Sequence, residues 1–210
     1  MKYFSSLPLL TQTDSNGNSY LLRNLLVRTE LIPQLSKNPL LFYKYELREG
    51  DTPEIVANKY YGDSYRYWIV MYGNPGVMDP QSDWPLTSSQ FLLYLKDKYA
   101  TAAGGAGNVM SYVLGTVHHY EKVVTTYEDD TQTTIIKNVE IDADTYNSLQ
   151  TTTTTNTFST GAKVTMTISG KAVSIYDYEN DANEAKRSIN LINSAYVNQA
   201  ETQYQKLTSA

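Results

Sequence analysis

Histidine is the side chain best suited to metal ligation and to proton transfer near neutral pH, and this 210-residue sequence holds two, His118 and His119, side by side. In an extended strand neighbouring side chains leave opposite faces, so the pair cannot grip one metal unless the backbone bends there. One ring is expected in the core and the other at the surface, and Tyr120-Glu121 beside them adds no convergent ligand. Paired carboxylates could run glycoside hydrolysis, and Asp129-Asp130 is the conspicuous pair, but adjacent acids between two strand-like runs read as solvated turn residues. Gly104-Gly105-Ala106-Gly107 lacks the Lys and the Ser/Thr of a phosphate-cradling loop. With no cysteine, disulfides and thiolate zinc sites are ruled out. The expectation is a protein with no catalytic residues, no metal, no cofactor and no small-molecule substrate.

Composition narrows the partners. A formal charge of −5 leaves no basic stripe to condense on phosphates, so nucleic acid is not expected. No segment approaches the roughly 18 apolar residues of a membrane span, and the N-terminal apolar run is too broken for a signal peptide. Together with the missing cysteines, this predicts a soluble chain assembled in a reducing cytoplasm. The aromatic balance is unusual, with 19 Tyr against 4 Phe and 2 Trp. Tyrosine joins a large apolar face to a hydroxyl that stays wet, which suits half-buried surfaces and protein interfaces.

The residues with the clearest local logic lie between 42 and 76. From Phe42 to Arg48 the pattern has period two, with Tyr43, Tyr45 and Leu47 on one face and Lys44, Glu46 and Arg48 on the other, which predicts a half-buried strand. Gly50-Asp51 makes a tight turn. Thr52-Pro53-Glu54 then has the chemistry of a helix start: a capping hydroxyl, Pro at the first position and an acid in the first turn. That helix should end near Tyr61, closed by Gly62 in the left-handed conformation. Asp63 or Ser64 can cap a second helix carrying Tyr65, Trp68, Ile69 and Tyr72 at i, i+3, i+4 and i+7, which ends at Gly73-Asn74-Pro75-Gly76.

Around this core the sequence divides into four parts. Residues 1–38 read as an arm with a polar turn at Asp14–Asn18; Leu21, Leu22, Leu25 and Leu26 would share a face if Tyr20 to Glu30 were helical. Residues 39–99 hold the module above plus a third helix, introduced by Thr87 and Gln90 and carrying Phe91, Leu92, Leu95 and Tyr99. Residues 100–176 begin with a Gly/Ala joint and continue as two expected hairpins. One has arms Tyr112–Tyr127 and Thr133–Ile141, and the other turns at Ser169-Gly170, with the threonine run from Thr151 to Thr155 as a mobile loop tip. Residues 177–210 carry Ala185, Ile189, Ile192 and Tyr196 at helical spacing, which predicts one long amphipathic helix.

The stretch Tyr43 to Thr52, followed by Ile55, Ala57, Tyr60, Trp68 and Gly73-Asn74-Pro75, resembles the LysM pattern of strand, Gly-Asp-Thr turn, two helices and closing Asn. LysM modules bind N-acetylglucosamine polymers between the two turns. The resemblance thus implies a groove at Gly50, Asp51, Thr52, Pro53, Asn74, Pro75 and Gly76, and a peptidoglycan-binding module is one reading. A second resemblance covers more of the chain. Tyr60-Tyr61-Gly62-Asp63, Tyr67-Trp68, Asp79-Pro80 and Trp84-Pro85-Leu86-Thr87-Ser88 together are similar to the LysM-bearing baseplate wedge proteins of contractile bacteriophage tails, as are Tyr3-Phe4, Val117–Glu121 and Asn183–Arg187. That family implies an α+β fold: a LysM-like βαα(β) module with an N-terminal arm, a β-hairpin region and a long C-terminal helix. It implies a structural virion component that joins neighbouring wedge subunits and helps connect them to the hub, in several symmetric copies. Tyr65, Trp84, Arg187 and Tyr196 are then interface candidates, and the groove grips protein or nothing.

Overall fold

The structure, a computed structural model, describes residues 3–27, 38–74, 76–77 and 83–208. The chain forms two units, one from residues 1–88 and 184–210 and the other from residues 89–183.

In the first unit, strands β1 (Leu9–Thr13) and β2 (Ser19–Arg23) make an antiparallel hairpin closed at the expected polar turn, where the Asp14 carboxylate accepts the N–H groups of Asn16 and Asn18. The Arg23 guanidinium ties its base to the carbonyls of Ser5 and Leu7. Strand β3 (Phe42–Glu46) follows, and the helix-start chemistry works as its residue types predict. The Thr52 hydroxyl accepts the N–H of Ile55, Pro53 opens helix α1 (Pro53–Tyr61), and Gly62 ends it at φ 70°. Asp63 caps a short 3-10 turn that runs into helix α2 (Tyr67–Tyr72). Val56 and Ala57 of α1 and Trp68, Ile69 and Val70 of α2 are buried together.

What lies over them comes from the far end of the chain. Strand β8 (Ser188–Ile192) pairs antiparallel with β3, setting Phe42 opposite Ile192 and Glu46 opposite Ser188. Helix α7 (Val197–Thr208) adds Val197 and Tyr204 to the same core. The order is strand, helix, helix, strand, with the closing strand separated from the rest by the whole second unit.

The second unit holds helices α3 (Ser88–Tyr99), α4 (Val109–Gly115), α5 (Ala143–Ser148) and α6 (Ile175–Glu184), with strands β4 (Val117–Glu128), β5 (Thr133–Ile141), β6 (Thr152–Thr157) and β7 (Lys163–Ser174). The strands form one antiparallel sheet in the order β5-β4-β7-β6. Phe91, Leu95, Val109, Val113, Val173 and Ile175 are its buried apolar residues. Beside them the buried Glu179 carboxylate of α6 accepts from Lys98, Tyr99 and Tyr94 of α3 at 2.7, 2.6 and 2.9 Å.

Several expectations are corrected. The single long helix over 177–210 does not form. Helix α6 stops at Glu184, a 3-10 turn covers Ala185–Arg187, and the chain then enters β8. Ile189 and Ile192 fit helical spacing, but Ile189 and Leu191 also alternate. Burying Ile189, Leu191 and Ile192 under the two helices gains on the order of 1.5–3 kcal/mol each over leaving them wet, which overrides weak local helix propensity. The threonine run is not a loop tip: Thr152–Thr157 is a strand, with the Thr153 and Thr155 hydroxyls bonded to those of Thr167 and Thr165. β7 continues through Ser169-Gly170 without turning. Both residues stay paired with β4, Ser169 opposite Val123 and Gly170 opposite Lys122, and the glycine leaves room for the Tyr146 ring, which a Cβ would approach to 2.8 Å. Residues 109–115, in part expected as strand, are helical. In the arm, Ser19–Arg23 is strand rather than helix; Arg28 to Glu30 lie outside the described residues. His118 and His119 do not leave opposite faces. A bulge after Val117 brings their Nδ1 atoms to 2.9 Å, and the Tyr178 ring stacks on His118 at 3.8 Å.

Candidate functional site

Gly50 reverses the chain after β3 at φ 81°, a conformation that favours glycine. The reversal points the Asp51 carboxylate back into the turn. It accepts the N–H of Arg48 at 3.1 Å and the hydroxyl of Tyr45 at 3.2 Å on one oxygen, and the Lys59 ammonium from α1 on the other. Asp51 is only 6% exposed. Burial works to raise its pKa, but the Lys59 ammonium and the Arg48 and Tyr45 donors outweigh it and hold the carboxyl below the usual range. The Tyr45 hydroxyl moves up, through burial and then the adjacent carboxylate. A carboxylate so held is a brace across the turn.

The outer side of the turn is covered as well. The Trp84 indole lies 7% exposed in the core of the first unit, and its N–H donates to the Asp51 carbonyl at 2.6 Å. Four residues on, the N–H of Ser88 donates to the Glu49 carboxylate at 2.9 Å, which with Arg187 nearby holds Glu49 below its ordinary range. Thr52 is the helix cap and Pro53 is buried in the first turn of α1.

At the other expected wall of the groove, the Asn74 side chain donates to the carbonyls of Val70 and Asn190 at 2.8 and 2.7 Å and accepts the N–H of Asn190 at 2.8 Å. It thereby joins the end of α2 to the free edge of β8. Gly73 permits the approach, because a Cβ there would lie 2.8 Å from the Asn190 carbonyl. Gly76 follows in a turn, and Pro75 lies outside the described residues.

Of the four interface candidates, Trp84 is buried and Arg187 is half-buried. Trp84 is the cover just described. Arg187 donates to Glu184 at 2.6 Å, and its carbonyl accepts the N–H of Leu47, prolonging the β3–β8 ladder. Tyr65 and Tyr196 are exposed. Residue patterns missed Lys59 and Asn190. The alternation Ile189-Asn190-Leu191 was the available signal for Asn190, whereas nothing local marks Lys59 as a partner of Asp51. Among the described residues, no group of three or more His, Cys, Asp or Glu is placed to hold a metal ion, and no helix is long and apolar enough to cross a membrane.

These polar groups hold their own turn and strand together. Comparison with known families gives the class: the family described as base plate wedge protein 53 matches residues 36–207, most of the chain. The protein belongs to that family of phage baseplate wedge structural proteins, components of the virion tail that associate with other baseplate subunits, and not to an enzyme family. No individually curated protein matches it.

Proposed function

We propose that this chain joins neighbouring subunits of a baseplate wedge and helps connect them to the hub, as part of a hetero-oligomer present in several symmetric copies and assembled in the host cytoplasm. The observation that carries this reading is the internal engagement of both groove walls: the Asp51 carbonyl by Trp84, and the Asn74 amide by β8. The order β3-α1-α2-β8 supports a LysM-like module whose second strand returns after an inserted unit. In such a module a sugar would lie against the two turns; here Trp84, from outside the strand-helix-helix-strand order, bonds the Asp51 carbonyl of the first turn, which supports a module that serves as a scaffold for protein contacts.

A partner surface is available on the β1–β2 hairpin. Leu10 and Leu22 share one face of it and Leu9 and Leu21 the other, all exposed. An isolated two-stranded ribbon is marginal in water, and apolar side chains on both faces suit it to insertion between neighbours. Co-expression with the other baseplate subunits should give a stable complex. Leu10→Glu with Leu21→Glu should reduce its yield while leaving the circular dichroism of the isolated chain intact. A chain that stays monomeric with every subunit would overturn the reading. Purified protein should not pellet with insoluble peptidoglycan; saturable pelleting abolished by Asn74→Ala would favour the glycan module instead.

A further inference from the structure

His118 and His119 can share one metal ion only where the backbone bends, and β4 bends there. Val117 pairs with Ser174 and His119 with Val173, which leaves His118 as the extra residue of a β-bulge. A bulge re-aims a side chain, and this one brings the two Nδ1 atoms to 2.9 Å with the ring planes 87° apart. Each ring has a neighbour that orients it. The Tyr178 ring of α6 stacks on His118, with centroids 3.8 Å apart and planes 9° from parallel. Glu121 Oε1 stands 3.5 Å from Nε2 of His119, and the Asn138 amide donates to the other Glu121 oxygen at 3.0 Å. A carboxylate there favours the proton on Nε2 and leaves Nδ1 of His119 as a lone pair, which is how outer carboxylates orient metal-ligating histidines. His118 is exposed, so the pair is open to solvent.

The distance selects the metal. Imidazole nitrogens lie about 2.0–2.1 Å from a bound ion of this size. Two of them 2.9 Å apart therefore subtend an angle of about 90° at the ion. Tetrahedral zinc would need them about 3.4 Å apart. Nitrogen ligands at right angles suit the square or tetragonal coordination of Cu2+ and Ni2+. We propose that Nδ1 of His118 and Nδ1 of His119 together chelate one Cu2+ or Ni2+ ion, with water in the remaining positions. The ion takes the place of the proton between the two nitrogens, which solvent carries to Nε2 of His118. Glu140 and Lys171 stand opposite Glu121 on the neighbouring strands, so these three side chains present one net negative charge to the ion. Among the described residues no third His, Cys, Asp or Glu joins the pair. The site is therefore an open, exchangeable one rather than a closed structural centre. An ion held there ties the bulged residue to its neighbour and pins the start of β4 beside Tyr178.

Isothermal titration calorimetry of the full chain with Ni2+, on protein prepared without a histidine tag, tests this. The chain has two histidines and no cysteine, so no other imidazole or thiolate competes. One ion per chain is expected, with Zn2+ bound more weakly. His118→Gln and His119→Gln should each weaken binding by about tenfold or more and to a similar extent, because a chelate needs both rings. Glu121→Gln, which keeps an oxygen for Asn138, should weaken it by about tenfold through the orientation of His119. A second measurement needs no variant: substoichiometric Cu2+ should broaden the NMR signals of both imidazoles of the unaltered chain together. Three results would each overturn the proposal: no saturable Ni2+ binding below about 1 mM, a single histidine variant that binds as tightly as the unaltered chain, or broadening confined to one ring.

Discussion

Among the described residues each unit has a buried carboxylate held by a lysine and by tyrosine, one hydroxyl at Asp51 and two at Glu179, and the two are built in opposite ways. Asp51 sits three residues from the N–H it accepts, in a turn whose Gly50 and Thr52 are themselves local signals, and its Lys59 is eight residues away on the next helix. Glu179 has no such local frame. All three of its donors, Tyr94, Lys98 and Tyr99, come from α3, 80 to 85 residues earlier in the chain. Both carboxyls are pushed up by burial and pulled further down by their donors, ending below the ordinary range. Burial with Glu179 as acceptor also raises the Tyr99 hydroxyl, up to about 12. The contrast teaches that one chemical device can close a turn or clasp two helices. Only the first use leaves a mark on neighbouring residues.

The largest way to break this comparison is Trp84→Ala. It removes a buried indole from the first unit and strips the Asp51 carbonyl of its donor. A loss of about 3–5 kcal/mol is expected, as for other buried aromatic truncations. Denaturant unfolding would check it; a loss below about 1 kcal/mol would mean that the indole is not the cover described here.

Next comes the pair of carboxylates themselves. Glu179→Gln replaces an oxygen that accepts from three groups with an amide that donates on one side, and leaves Lys98 without its counter-charge. A loss of about 2–3 kcal/mol is expected, moderated because Lys98 is 45% exposed and can turn to water. Asp51→Asn keeps one oxygen for the Arg48 N–H and the Tyr45 hydroxyl and should cost less, about 1–2 kcal/mol. Equal losses, or the reverse order, would remove the distinction between the turn brace and the helix clasp.

The smallest effect is a dependence on pH. Because both carboxyls titrate lower in the folded chain than in the unfolded one, their stabilisation is fully present above the unfolded values, about 3.9 for Asp and 4.3 for Glu. It is lost as pH falls through the lower folded values. Unfolding midpoints should therefore drop between about pH 4.5 and pH 2. The Asp51→Asn, Glu179→Gln double variant should show a flatter profile over that range; an unchanged slope would show that other groups govern acid sensitivity.

The sequence by itself determined the parts whose information is local. Strand β3, the Thr52-Pro53 start of α1, the left-handed Gly62 and the helix carrying Trp68 and Ile69 are all legible, because caps, turns and apolar spacing act within a few residues. The family resemblance was legible too, in the Trp84-Pro85-Leu86 segment. Tertiary structure alone decided which strand pairs with β3. Ser188–Ile192 carries spacing compatible with either helix or strand, and the choice falls to the buried faces of α1 and α2, which no neighbouring residue can supply. The same holds for the threonine strand, which exists because β7 offers it an edge. It holds too at the residues expected to line a groove, where Trp84 and Asn190 come from distant parts of the chain to the Asp51 carbonyl and the Asn74 side chain, while the Asp51 carboxylate is held by its own neighbours Tyr45, Arg48 and Lys59.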